Sequence, residues 1–559
     1  MKTSEETRNS IGPMLNAYPD SIGHNLSGAV DLLKDENLKN VFESFYILPS
    51  IYNSDLDRGF SVIDYNLNKE LATPKDLEDL RKYNINLKLD FILNHASVLS
   101  SQFQDLIKNG EKSEYADFFI NWNKFWEGYG TETPQGYIQP EEKYIKDMFF
   151  RKKGLPILMV RMPDGKDIPY WNTFYQEIIY PHPDALTLME ITDIQYLQAV
   201  KLSKLIDRAL SSGVIPREID YAQYKEYQDA ITEYLENNRK YLGQMDLNIK
   251  SELVWEHYRK TLKLLSDYGA RIVRLDAFAY APKTPGMKNF LNEPDTWDVL
   301  ERVKTIADSH NLTLLPEIHA TYNEGIYEKV ARKGYMTYDF FLPGLLIHAI
   351  EKHSPSILVK WANEILDKNI CTVNMLGCHD GIPLLDLKGL LSEEDIKWLI
   401  ELIVSRGGYV KDLHGQKNMY YQVNATYYSA LGENDKKMLL ARAVQLFMPG
   451  KPQIWYLDLF MGKNDLDAVR SAGNGGHKEI NRTNLSRTEI NSALNNPSVK
   501  EQLRLLKIRN NHPAFNSHSK ISIKDNTDEI YFKWEYEEHF AVLSANLKDY
   551  SYKIQLSTF

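Results

Sequence analysis

Hydrophobic and polar positions alternate along this chain on two scales. Short apolar runs recur between stretches whose apolar residues fall at helical spacing. Eight runs stand out, at residues 12–20 (GPMLNAYPD), 42–50 (FESFYILPS), 85–95 (INLKLDFILNH), 270–278 (ARIVRLDAF), 312–319 (LTLLPEIH), 335–343 (YMTYDFFLP), 370–380 (ICTVNMLGCHD) and 451–459 (KPQIWYLDL). Runs on this scale, alternating with amphipathic helices, predict parallel strands buried on both faces. Eight such units predict an α/β fold, a (β/α)8 barrel of the TIM type. Asp20, His95, Asp276, Glu317, His319, His379 and Asp380 fall at the C-terminal ends of these runs. In such a barrel that end carries the active site, and a strand interior has no place for unpaired carboxylates.

Two long interruptions break the alternation and set the expected domains. Residues 1–95 supply barrel strands 1–3, and 96–177 form an inserted domain, irregular and rich in aromatic and charged residues. Residues 178–243 read as a helical insert of two or three helices, two of them over 196–210 and 221–242. Tyr196, Leu197, Val200, Leu202, Leu205, Ile206 and Leu210 lie at helical spacing, and a tyrosine-rich face follows from Tyr221 to Tyr241. Such faces have to be buried, and self-packing is the expectation. Residues 244–500 carry strands 4–8 with the active-site loops, and 501–559 a small C-terminal β domain whose sequence alternates like antiparallel strands.

Composition narrows the function classes. A chain of 559 residues is too long for one compact core. A net charge of −10 without a long basic run argues against nucleic acid or an anionic membrane as partner. Two cysteines, Cys371 and Cys378, exclude a disulfide framework and read as small buried hydrophobes. The start, MKTSEETRNS, has no apolar segment behind a basic one, and no run is long enough to span a bilayer, so a cytoplasmic enzyme is expected.

The acids at the strand ends suit glycosyl transfer with retention. That reaction needs two carboxyl groups ~5–5.5 Å apart, one attacking the anomeric carbon and one serving as acid and then base. Asp276 stands two residues after Arg274, on the same strand face, so a guanidinium is expected to keep it ionised and nucleophilic. Glu317 ends the next strand, where burial beside other carboxylates is expected to raise its pKa and suit it to acid/base work. Asp380, after His379, offers a third carboxylate to stabilise oxocarbenium-like charge. Any one of 76 acids is ordinarily a surface or cap residue, but acids ending successive strands beside Arg and His are not explained that way. His95, His319 and His379 lack the i, i+4 spacing of zinc hydrolases, and hydrogen bonds to sugar hydroxyls account for them equally well, so no catalytic metal is expected.

With these residues in hand, the chain resembles the sucrose phosphorylase group of the α-amylase superfamily of glycoside hydrolases. The likeness runs over nearly the whole chain, through DRGFSVIDY (57–65), LDFILNH (89–95), FINWNKFW (119–126), RLDAFAYA (274–281), LPEIHATY (315–322), CHDGIP (378–383), YYQVNATYYSALG (420–432) and GKNDLDAV (462–469). The resemblance implies Asp276 as nucleophile, Glu317 as acid/base and Asp380 as transition-state stabiliser. It also implies a glucose pocket of Asp57, Phe60, His95, Arg274, His379 and Arg482, with His319 and Tyr280 on the acceptor side. It implies no metal or organic cofactor, an α-glucoside and inorganic phosphate as the small-molecule partners, α-glucose 1-phosphate as product, and a monomer or homodimer.

Three tracts depart from the group's pattern. Residues 178–243 separate YWNTFYQE from QMDLN, which lie nearly together in the group. The loop GGYVKDLHGQKNMYYQ (407–422) does not follow sucrose-using members. GGHKEINRT places Glu479 and Thr483 where the group usually has aspartate and histidine. All three bear on the acceptor. Sucrose is the default substrate; glucosylglycerol, glucosylglycerate and sucrose 6′-phosphate are alternatives within the group, and an α-glucoside hydrolase or transglucosidase is an alternative class. Arg151, Lys152, Lys153, Lys411 and His414 would suit an anionic acceptor, or be solvated loop charges.

Overall fold

Each of the eight apolar runs holds one strand of a single sheet: β1 (Met14–Ala17), β2 (Ser44–Ile47), β3 (Asn86–Ile92), β4 (Ala270–Asp276), β5 (Thr313–Pro316), β6 (Thr337–Asp339), β7 (Thr372–Met375) and β8 (Lys451–Trp455). Their order is β5-β4-β3-β2-β1-β8-β7-β6, and every hydrogen-bonded neighbour is parallel. The two ends of the row, β5 and β6, adjoin, which makes a nearly closed TIM-type barrel. The computed structural model describes residues 10–151, 154–410, 422–473 and 476–558. They fall into two compact units, one of residues 1–94, 252–284 and 288–559, the other of 95–251 and 285–287.

Strand β3 shows how sequence alternation builds the barrel unit. Phe91 meets Tyr258 of helix Glu252–Tyr268, ring centroids 5.1 Å apart, on the outer face. Lys88 and Asp90 alternate with the apolar residues and are fully buried inside. Lys88 Nζ donates to Gln453 Oε1 on β8 at 2.6 Å and lies 3.8 Å from the Tyr46 ring of β2. The barrel's centre is therefore polar and hydrogen-bonded rather than filled with aliphatic layers alone. The chain ends in four antiparallel strands, Lys520–Asp525, Glu529–Tyr536, His539–Asn546 and Tyr552–Leu556, in sequence order. Trp534 anchors that sheet by donating Nε1–H to Phe447 O at 2.9 Å.

Two apolar clusters stand out among the described residues of the second unit. Trp122, Trp126 and Trp171 form an aromatic one, with Trp122 and Trp171 ring centroids 4.7 Å apart. The insert has its own, built by Leu188, Ala199, Leu202, Ile206, Ile231 and Leu235 from helices Ala185–Ile191, Tyr196–Ser211 and Gln228–Asn237. The inner stripe of the middle helix is Ala199, Leu202 and Ile206; Tyr196 and Leu197, expected on it, are exposed at its first turn. The second expected helix, 221–242, is shorter in the structure. It stops at Asn237, and Lys240–Asp246 is a strand. Pairing decides this: Lys240–Gly243 lies antiparallel to Gln176–Ile179 and closes the neck of the insert, and Gln244–Asp246 pairs with His95–Ser97. Arg239 at the turn is held by Asp167 and Glu236. Among the described residues, no helix is long and apolar enough to cross a membrane.

Because the insert buries its own apolar face, damage to it should stay local. Ile206, fully buried, changed to Ala is expected to cost about 2–5 kcal/mol. Hydrogen exchange should quicken across residues 185–237 and leave the barrel strands as protected as before. Equal loss of protection in the barrel would show that the insert core is not independent.

Candidate functional site

The barrel unit gathers its ionisable residues just beyond the C-terminal ends of the strands. Asp276 is the last residue of β4, Glu317 follows β5, and His379 and Asp380 lie beyond β7. Their meeting point is Arg274, two residues before Asp276 and facing the same way. Arg274 is only 2% exposed. Its Nη1 donates to Asp90 Oδ1 at 2.5 Å and to Asp276 Oδ1 at 3.0 Å, while Nη2 lies 2.6 Å from Glu317 Oε1. One guanidinium thus carries both expected reactive carboxylates, an arrangement compatible with the ~5–5.5 Å spacing of retaining pairs. Tyr46 adds an O–H···Oδ1 bond of 3.0 Å to Asp90 from behind.

The charge states follow from this sharing. Burial pushes the Asp276 carboxyl well above its usual value; Arg274 offsets this only in part, and Glu317, Asp90 and Asp380 add repulsion. Burial acts on Glu317 too, but Arg274 and His319 outweigh it and hold that carboxyl below its usual value. This reverses the expected order, in which Arg274 keeps Asp276 ionised and Glu317 is the raised group. The cause is geometric. Nη2 sits on Glu317, whereas Asp276 shares Nη1 with Asp90.

On the other flank, Asp57 and Asp380 face two cations. Lys478 Nζ is 2.8 Å from Asp380 Oδ1 and 3.6 Å from Asp57 Oδ2, and Arg482 lies 3.7 and 3.5 Å from the same two carboxylates. His379 Nε2 is 3.0 Å from Asp380 Oδ2. Burial works to raise Asp380, but His379, Lys478 and Arg482 hold it well below the usual carboxylate value. Asp57 is likewise lowered against burial by Lys478 and Arg482. Backbone geometry aims Asp57: it and Arg58 adopt left-handed φ of 46° and 52°, a conformation that costs non-glycine residues energy. Gly59 completes the turn at φ 115°, where a Cβ would come within 2.1 Å of Ser50 N. Phe60 then stacks on His379, centroids 5.1 Å apart, and lies under the Arg274 guanidinium.

The third flank is His319. Its ring stacks on Phe340 at 3.8 Å, its Nδ1 is 3.2 Å from Asp386 Oδ1, and its Nε2 is 3.8 Å from Glu317 Oε1. Burial would lower the imidazole's pKa, but Asp386, Glu317 and Asp380 raise it. A cavity lined by Glu317, His319, His379 and Asp380 runs down to Tyr46, Tyr338 and Gln453 on the barrel strands.

Of the eleven residues proposed from the sequence, nine form one contact network in the barrel unit: Asp276, Glu317, Asp380, Arg274, Asp57, Phe60, His379, Arg482 and His319. Tyr280 lies in the turn after Asp276, and its ring packs on Phe290 at 4.7 Å. His95 opens the second unit, its ring 4.9 Å from Phe174, and Arg151 lies 5.0 Å over the same Phe174. Lys152, Lys153, Lys411 and His414 lie outside the described residues. Sequence reading missed Asp90, Lys478 and Asp386. Asp90 had a signal, since Lys88 and Asp90 put two charges on one face of a buried strand; the other two sit in short 3-10 turns, Gly476–Asn481 and Leu385–Leu387, too short for a period to mark them. Among the described residues, no set of His, Cys, Asp and Glu is grouped to hold a metal ion.

No model of a known protein family matches the chain. It is 46% identical over 543 residues to the sucrose 6(F)-phosphate phosphorylase of Ilumatobacter coccineus, covering 96% of this chain and 93% of that protein. It is 30% identical to the sucrose phosphorylase of Streptococcus mutans, covering 97% and 96%. The crystal structure of sucrose 6F-phosphate phosphorylase from Thermoanaerobacter thermosaccharolyticum matches with a TM-score of 0.80 at 30% identity, covering 99% of this chain and 96% of that one. With a nearly closed eight-stranded barrel, carboxylates gathered at its strand ends and these identities over almost its full length, the chain belongs to the sucrose phosphorylase group of the α-amylase superfamily.

Proposed function

We propose that this protein is a retaining α-glucoside phosphorylase that transfers the glucosyl unit of sucrose 6′-phosphate reversibly to inorganic phosphate, giving α-glucose 1-phosphate and fructose 6-phosphate. The observation that carries the chemistry is the Arg274 guanidinium holding Asp276 and Glu317 together. Asp276 attacks the anomeric carbon and Glu317 protonates the leaving oxygen; phosphate then displaces Asp276, and two inversions restore the α configuration. The attacking form is the Asp276 carboxylate and the departing oxygen takes its proton from Glu317, the two groups sharing the Arg274 guanidinium. Asp380, kept ionised by His379, Lys478 and Arg482, faces the positive charge that develops on the sugar ring. Asp57, Arg482, Phe60, His379 and His95 are the glucose-binding residues in this reading, with His319 and Tyr280 on the acceptor side.

The acceptor is argued separately. Relatives named for sucrose 6(F)-phosphate favour a phosphorylated fructosyl group. Arg151 is the described residue that the sequence reading offers for an anionic acceptor, since a guanidinium suits bidentate phosphate binding. A sugar phosphate substrate also suits a cytoplasmic enzyme.

Two outcomes test the proposal. With α-glucose 1-phosphate as donor, phosphate release should be fastest with fructose 6-phosphate, ahead of fructose, glycerol and glycerate. Changing Arg151 to Ala should raise the KM for fructose 6-phosphate about 10–100-fold, the worth of one charged hydrogen bond, and barely alter fructose. A wild-type preference for fructose would instead assign sucrose as the substrate, and glucose release without transfer would make the protein a hydrolase. The second outcome is the pH profile of kcat/KM for hydrolysis of sucrose, whose charge is constant. The active pair carries one proton. Activity should fall on the acid side only below the usual glutamate value, as the lowered carboxyl protonates, and on the alkaline side well above the usual aspartate value, as the raised one ionises. Two limbs less than about one pH unit apart would contradict the coupled pair.

A further inference from the structure

Asp386 is a buried acid with no place in the chemistry above. It lies in the short turn Leu385–Leu387 and is 2% exposed. Both its carboxylate oxygens lie near His319 Nδ1, at 3.2 and 3.4 Å. The two loops meet independently of this contact: Asn323 N donates to Lys388 O at 3.4 Å, and a Cβ at Gly389 would come within 2.1 Å of Asn323 Oδ1. The ring plane is fixed from one side by Phe340, and Nε2 is aimed at Glu317. An acid on one imidazole nitrogen and a carboxyl facing the other is the arrangement that orients a histidine ring and favours its charged form.

We propose that Asp386 is a positioning residue for the phosphate step: it accepts the Nδ1–H of His319 and, with Glu317 facing the other nitrogen, stabilises the doubly protonated ring, whose Nε2–H is presented to the oxygen of the incoming phosphate beside Glu317. This rests on the phosphorylase reading. Phosphate attack forms a bond from its oxygen to the anomeric carbon and breaks the bond from that carbon to Asp276, whose carboxylate leaves with the electron pair. Any proton on the attacking oxygen passes to Glu317. Water can make the same attack but carries no negative charge for His319 to receive. The raised pKa of His319, due to Asp386, Glu317 and Asp380 against burial, favours the charged ring that would discriminate between the two nucleophiles.

The test is the fate of one intermediate. Glucosyl-enzyme formed from α-glucosyl fluoride is offered phosphate, and glucose 1-phosphate is measured against glucose. Asp386→Asn is expected to lower that ratio about tenfold or more, as loss of an orienting partner does, while fluoride release in the first turnover stays within about threefold of wild type. His319→Gln should show the same fall, and the double variant little more. An unchanged ratio, or an equal fall in fluoride release and in both products, would overturn the role. A wild-type enzyme that yields no glucose 1-phosphate would overturn this role and the phosphorylase reading together. Independently of any variant that fails to fold, 15N NMR of wild-type protein labelled at histidine should show His319 protonated at both ring nitrogens at neutral pH. A ring bare at Nε2 would refute the proposal.

Discussion

The Arg274 guanidinium is the contact on which the site depends. It is almost wholly buried, and it answers three carboxylates, Asp90, Asp276 and Glu317. No one of those acids could be buried at a barrel mouth as a lone charge, and removing one partner of a buried ion pair typically costs ~3–5 kcal/mol. The layer beneath supports the arrangement. Tyr46 bonds Asp90, and Lys88, bonded to Gln453 and Tyr338, packs against the Tyr46 ring. Burial, with Arg274 beside it, drives the Lys88 pKa far down, and Asp90 and Glu317 oppose this only in part. A polar core of this kind adds less stability than an aliphatic one. It does fix the Arg274 side chain from below, and a reacting pair of carboxyls needs a fixed partner.

A second balance of charge sits across the pocket. Asp57 and Asp380 are held ionised by Lys478 and Arg482, and the strained turn at Asp57 is kept in place by the close approach of Gly59 to Ser50. Low-pKa acids on that flank, and a raised Asp276 beside a lowered Glu317 on the other, give neighbouring carboxyls different charge preferences. Environment rather than residue type makes the difference.

The fold was legible because barrel strands are short apolar runs of nearly fixed length, and all eight lie within the runs read from the sequence. Asp276, Glu317 and Asp380 were legible for the same reason, as acids where such runs stop. Their charge states were not. Alternation places Arg274 and Asp276 on one face, but it does not say that Nη2 turns to Glu317 at the end of the next strand, the contact that holds the Glu317 carboxyl down while Asp276 is pushed up. Lys478 and Asp386 escaped because short 3-10 turns are too short to carry a period, and their partners lie 98 and 67 positions away, a separation only the fold closes. The insert was half legible. Helical spacing marked Leu202 and Ile206, but the run of residues 238–242 into a strand depends on its pairing with Gln176–Ile179, a contact that local propensity does not contain.

The most direct measurement of the central claim is to trap the glucosyl-enzyme and find where the sugar is attached. With Glu317 changed to Gln and α-glucosyl fluoride as donor, the first step needs no acid and the second lacks its base. Peptide mass spectrometry should then find one glucosyl group per chain, on Asp276. Attachment to Asp380 or Asp90, or turnover through no covalent species, would contradict the account.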